Sequence, residues 1–174
     1  MVEALVKAGA NINENEEDWG TPLYLAAEKG AVDVTEGLLA LGADIETKNI
    51  QGRTPLMMAC EKGHEDVVDR LLAAGAIVNS EDRYGWSSFI LASEKGHLGI
   101  VDRLVIHGAN INHQSNITGR SALMAASFYG LNHLPVVDRL VGLGCDLNVQ
   151  DNLSRTALMM AFVSASSLNK LTEF

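Results

Sequence analysis

GRTPLMMACEKGHEDVVDRLLAAGAIVN occupies residues 52–79, and GWSSFILASEKGH, residues 85–97, echoes its first thirteen letters 33 residues later while changing most of them. The echo continues along the chain. TPLYLAAEKG starts at Thr21, TPLMMACEKG at Thr54, SSFILASEKG at Ser87, SALMAASFYG at Ser121 and TALMMAFVSA at Thr156, at spacings of 33, 33, 34 and 35. Self-similarity at a period of this size signals stacked supersecondary units.

Each unit reads as two short helices. A Thr or Ser opens the first as N-cap, its hydroxyl accepting from a free backbone N–H, and Pro22 and Pro55 take the next position, where no donor is lost. Apolar residues follow on one face, for example Leu56, Ala59 and Cys60. Gly30, Gly63, Gly96 and Gly130 are then suited to the left-handed conformation that ends a helix. VVDRLLAAG (67–75), IVDRLVIHG (100–108) and VVDRLVGLG (136–144) supply the second helix and its glycine stop, and a polar turn leads to the next Thr or Ser. Helices of about ten residues are too short to persist alone in water, because nucleation is costly. Stacking must provide the burial, with Ala26, Ala59, Ala92, Ala125 or Ala126, and Ala161 allowing close approach.

The pattern G-x-TPL-x-x-AA-x-x-G-H followed by VV-x-x-LL-x-x-GA-x-(I/V)-N resembles the ankyrin repeat over practically the whole chain. The resemblance implies an all-α solenoid of helix–turn–helix units, with β-hairpin-like turns projecting at one edge and the first helices lining a concave side. It divides the chain as one repeat domain over 1–174: a partial repeat at 1–15, full repeats at 16–48, 49–81, 82–115 and 116–150, and a partial repeat at 151–174. Met1–Gly9 reads as the second helix of a unit whose first half is absent. Neither end carries an evident capping repeat, so the chain is expected to be a piece of a longer array. The family's His after TPL is replaced by Tyr24, Met57, Ile90, Met124 and Met159, and its hydrogen-bond bracing is expected to be lost. Two extra residues in GLNHLPVVD (130–138) should enlarge one loop. The resemblance gives His64 and His97 a structural role, and Asn79, Asn112 and Asn148 are expected to brace the hairpins.

Composition narrows the function. Thirteen basic against 22 acidic residues leave a net charge of −9, and residues 1–50 alone hold ten acidic and three basic. Lys and Arg are scattered singly, which disfavours nucleic acid. No apolar run approaches the ~18 residues of a membrane span. Cys60 and Cys145 lie far apart without metal-type spacing, which suits a reducing, cytoplasmic setting. Phosphate-loop, dinucleotide, nucleophile-elbow and zinc-protease motifs are all absent from the sequence. Cys60 reads as a small core side chain, and His107 and His113 as surface residues. No enzyme activity, cofactor or metal is expected. The Val-Asp-Arg triplets at 68–70, 101–103 and 137–139 should form solvated ladders between repeats, and Met57, Met58, Met124, Met159 and Met160 should pack against neighbouring units.

If the retained letters build the stack, the changing letters are free to recognise something. These fall at the turn tips and the ends of the first helices. Both tryptophans, Trp19 and Trp86, lie in turns, and Trp, Tyr and Arg dominate interface hot spots. Tyr84, Trp86, Phe128 and Tyr129, from adjacent repeats, are expected to converge as the anchor of a protein-binding groove. Arg53, Arg83 and Arg120 should form its polar rim, with Glu94 and Lys95 beside them. The expectation is a module, monomeric in isolation, that binds a protein partner. The alternative is a structural spacer or scaffold segment of a larger multi-domain protein or channel.

Overall fold

The computed structural model describes residues 2–15 and 20–169. Helices α1 (Val2–Lys7), α2 (Pro22–Lys29), α3 (Val32–Ala40), α4 (Pro55–Lys62), α5 (Glu65–Ala73), α6 (Ser88–Lys95), α7 (Leu98–Ile106), α8 (Ala122–Ser127), α9 (Leu134–Gly142) and α10 (Ala157–Asn169) stack in two layers. The inner layer runs α2, α4, α6, α8, α10, and the outer layer runs α1, α3, α5, α7, α9. The first outer helix therefore stands where the sequence puts the second half of a repeat.

The caps form as the sequence dictates. Hydroxyls of Thr21, Thr54, Ser87 and Ser121 accept from the backbone N–H of Tyr24, Met57, Ile90 and Met124 at 3.3–3.4 Å. One apolar seam runs through every interface between units, and its bulkiest sealed side chains include Leu23, Leu56, Phe89, Leu71, Leu104 and Leu140. Met124 and Met160 pack into it and Met57 and Met58 are also buried, whereas Met159 is exposed. Near its middle, the Ser88 and Ser93 hydroxyls are sealed without a hydrogen-bond partner among the described residues.

Gly63 shows why the Gly-His pair recurs. Its φ is 83°, and a Cβ there would lie 2.6 Å from Cε1 of His97 in the next unit. Glycine alone lets the imidazole reach over the helix end, where His97 Nε2 donates to Glu61 O at 3.1 Å. His64 repeats this above Gly30, donating to Glu28 O at 2.9 Å. The third such ring is His133, over Gly96. The insertion places it three residues after its own glycine instead of one.

That insertion shapes the fourth unit differently from the sequence reading. Gly130 does not stop α8, which ends at Ser127 with Phe128 as its right-handed cap, while Gly130–His133 forms a 3-10 turn leading into α9. Phe128 and Tyr129 thus leave the helix early.

The turns between units are tight and linked. Glu81 bridges Ser87, and Gln114 bridges Ser121, as isolated antiparallel pairs. In three turns the opening residue braces the loop through one side-chain oxygen. Asn49 accepts from Gln51 and Arg53, Asp82 from Tyr84 and Trp86, and Asp151 from Leu153 and Arg155, all at 2.8–3.0 Å. Ser115 opens the fourth unit's turn, which is one residue longer and closes with Ser115 N–H donating to Arg120 O.

Candidate protein-binding face

The face that could meet a partner consists of the turns and the inner helices. On each inner helix, the residue just before the cap and the residue seven after it share this face. The pairs are Gly20 and Glu28, Arg53 and Glu61, Trp86 and Glu94, and Arg120 and Phe128. In the second unit, Arg53 lies along α4 and reaches Glu61 at 2.6 Å, while its Nε donates to Asp82 of the next turn at 3.2 Å. Arg53 is therefore not an open rim residue, because both of its carboxylate partners are internal.

The fourth unit has the same backbone plan but a different chemistry. Phe128 stands where Glu61 would be, and the Arg120 guanidinium sits 6.0 Å from its ring centroid, within cation–π range. Phe128 meets Tyr129 edge-on at 5.6 Å, and Tyr129 stacks on His133 at 4.8 Å. Phe128 and Tyr129 are 39% and 40% exposed, which leaves part of this assembly's aromatic edge open. Burial pushes the His133 pKa down, helped by His97, against the opposing pull of Glu94. Its Nδ1 is sealed without a hydrogen-bond partner among the described residues. Lys95, near Tyr129, pairs with Glu94 at 3.1 Å. Burial would lower its pKa, but Glu94, Tyr129 and Glu61 outweigh that and raise it.

The other expected anchors are arranged separately. Tyr84 and Arg83 are exposed at the third turn tip, whereas Trp86 is half-buried and packs against the core. Among the described residues, the ring contacts run from Phe128 to His133 and do not reach Tyr84 or Trp86. Trp19 lies outside the described residues. An additional feature emerges at the tips: Ile50, Tyr84, Ile117 and Leu153, one per consecutive turn, are 52–70% exposed. Their signal in the sequence is a bulky apolar letter inside an otherwise polar turn.

Several smaller expectations change. Tyr24 keeps a bracing bond, its hydroxyl accepting from Asn49 Nδ2 at 2.9 Å, and burial, opposed by Arg53, lifts its pKa to about 12. His113 is not a free surface residue: it is half-buried and donates through Nε2 to Gly85 O at 2.9 Å. His107 is exposed. Asn79 and Asn112 link units rather than only bracing their own turns, their Oδ1 atoms accepting from Asn110 N–H and Asp146 N–H. Glu46 fills the same role toward Ile77 N–H.

Cys60 is fully buried, and burial raises its thiol pKa so that it stays protonated. Burial also raises the pKa of Cys145. Among the described residues, no group of His, Cys, Asp and Glu is placed to hold a metal ion, and no helix is long and apolar enough to cross a membrane.

Two layers of short helices, joined by linked turns and repeating every 33 residues or so, define a helical repeat solenoid. Family models described as ankyrin repeats match residues 38–115 and 89–171 (three copies) and residues 5–56 (many copies). The chain belongs to the ankyrin repeat family, whose members are generally protein–protein interaction modules and typically non-catalytic. Among curated proteins, no sequence matches this chain.

Proposed function

We propose that this chain is a non-catalytic module that seats one partner protein on its turn tips and inner helices, centred on the third and fourth units. The observation that carries the reading is the change from Glu-Lys to Phe128-Tyr129 at the end of the fourth inner helix. The change leaves two aromatic rings open beside Arg120 where three earlier units present charged pairs. Exposed aromatic surface is stabilised when a partner covers it, and such residues anchor interfaces. Arg83, Tyr84 and Trp86 extend the surface from the third unit, with Glu94 and Lys95 between. Arg53 contributes shape rather than free charge.

The test is affinity capture with wild type beside a Tyr84→Ala, Phe128→Ala, Tyr129→Ala variant, both checked for equal helicity by circular dichroism. Partners held by wild type are expected to lose at least about 2 kcal/mol of binding per anchor truncated. A variant that retains every partner at unchanged affinity would remove the reading. The spacer role would then stand, supported by the unbroken hydrogen-bond and ion-pair links between units that stiffen the array.

A further inference from the structure

The cations of this protein are unevenly satisfied. Arg70, Arg103 and Arg139 on the outer helices all meet carboxylates of the preceding unit: Glu36 at 2.7 Å, Asp69 at 2.7 Å with Glu65 at 2.9 Å, and Asp102 at 2.6 Å. Among the described residues, the basic side chains without a carboxylate partner are Lys48, Lys62, Arg83 and Arg120. All of them lie on turns, in the approach to a turn, or at the end of an inner helix.

Charge follows the same division. The inner helices, together with the turns at 48–53, 81–86, 114–120 and 150–155, hold eight basic and six acidic residues, the outer helices hold four and eight, and the segments leading from an outer helix to a turn hold Glu14, Asp44, Glu46 and Asp146. The inner-side acids are largely consumed. Asp82 and Asp151 are buried against Arg53 and Arg155, and Glu28, Glu61 and Glu94 pair with Lys29, Arg53 and Lys95. A protein of net charge −9 thus keeps, among the described residues, its cations that lack a carboxylate partner on the turns and the inner face. Packed helices lie ~10 Å apart. Salt screens charge over about 8 Å at physiological ionic strength, so the outer acids do not cancel this face.

Apolar and cationic groups alternate along it. Ile50, Tyr84 and Ile117 stand at successive turn tips, Arg83 adjoins Tyr84, and Arg120 lies over Phe128. Resting on the proposed protein-binding role, we infer that the partner segment is an extended, acidic stretch in which Asp or Glu flanks aliphatic or aromatic residues. Its carboxylates pair with Arg83 and Arg120, and its apolar side chains cover the turn tips and the Phe128–Tyr129 edge. A guanidinium already placed over a ring is partly pre-organised to receive a carboxylate.

The experiment is selection from a randomised twelve-residue peptide library displayed on phage, using wild type, an Arg83→Glu, Arg120→Glu variant and the Tyr84→Ala, Phe128→Ala, Tyr129→Ala variant. All substituted positions are at least partly exposed, and thermal melts verify the folds. Wild type is expected to enrich peptides with more Asp and Glu than Lys and Arg, next to apolar residues. Charge reversal should weaken their binding about tenfold or more and shift its own selected pool toward basic sequences. A neutral or basic wild-type pool that depends on the aromatic residues overturns the acidic assignment while leaving the protein-binding role intact. So does an acidic pool indifferent to charge reversal. A pool indifferent to the aromatic substitutions, or no enrichment at all, counts against both.

Discussion

The outer helices and the inner turns of this solenoid use the same residue types to opposite ends. On the outer face, each Arg of the Val-Asp-Arg column is clasped by a carboxylate one unit back, so charge is spent within the stack. On the inner face the column before the helix cap reads Arg53, Trp86, Arg120, and each is treated differently. Arg53 is bound between Glu61 and Asp82, Trp86 is half-buried, and Arg120 lies over Phe128. A periodic column is a structural device when its partner column is periodic too. It becomes a candidate for recognition where the partner column breaks, as at Phe128.

The comparison can be broken most forcefully at Asp82, the buried residue that ties two turns. It accepts from Tyr84 N–H, Trp86 N–H and Arg53 Nε. Asp82→Ala is expected to cost about 3 kcal/mol in urea denaturation, because a desolvated cation and two turn amides lose their acceptor. A loss no larger than that of an outer ion pair would erase the distinction between the two faces. Next in size is a gain. Ser88→Ala removes a sealed hydroxyl with no partner among the described residues, at a position where Ala122 serves in the next inner helix, and should stabilise the array by about 1 kcal/mol.

Arg103→Ala removes two surface ion pairs and should cost at most about 1 kcal/mol, shrinking further as salt is raised. Arg120→Gln is expected to change stability by no more than about 0.5 kcal/mol while weakening partner binding; a larger loss would make Arg120 another structural Arg53. The smallest effect is with pH. Because burial lowers the His133 pKa below its usual 6.5, the unfolded chain holds the proton more readily than the folded one. Stability from this group is present above that value and lost as pH falls below it. Thermal melts of His133→Gln should show a shallower decline on acidification than wild type.

Much of the array is legible in the letters. The Thr and Ser caps, the Gly-His pairs at 63–64 and 96–97 and the Val-Asp-Arg column all recur at fixed spacing, and each acts within a few residues or on its counterpart one period away. The seat of His133 is harder to read, since the two-residue insertion moves it out of phase while the stack pulls the ring back over Gly96. The roles of Asn49 and Asp82 as turn braces are also hidden, because a polar letter in a polar turn carries no contrast.

Periodicity in this chain determined the repeating pair of helices, their caps and stops, and the family to which they belong, because those features depend on local dihedral preference and on like units meeting like. Tertiary structure alone decided which cations are spent and which remain. Whether Arg53 is held between Glu61 and Asp82, or Arg120 left over an open ring, turns on side chains eight or more residues away that only the folded stack brings within hydrogen-bond or ring-contact reach.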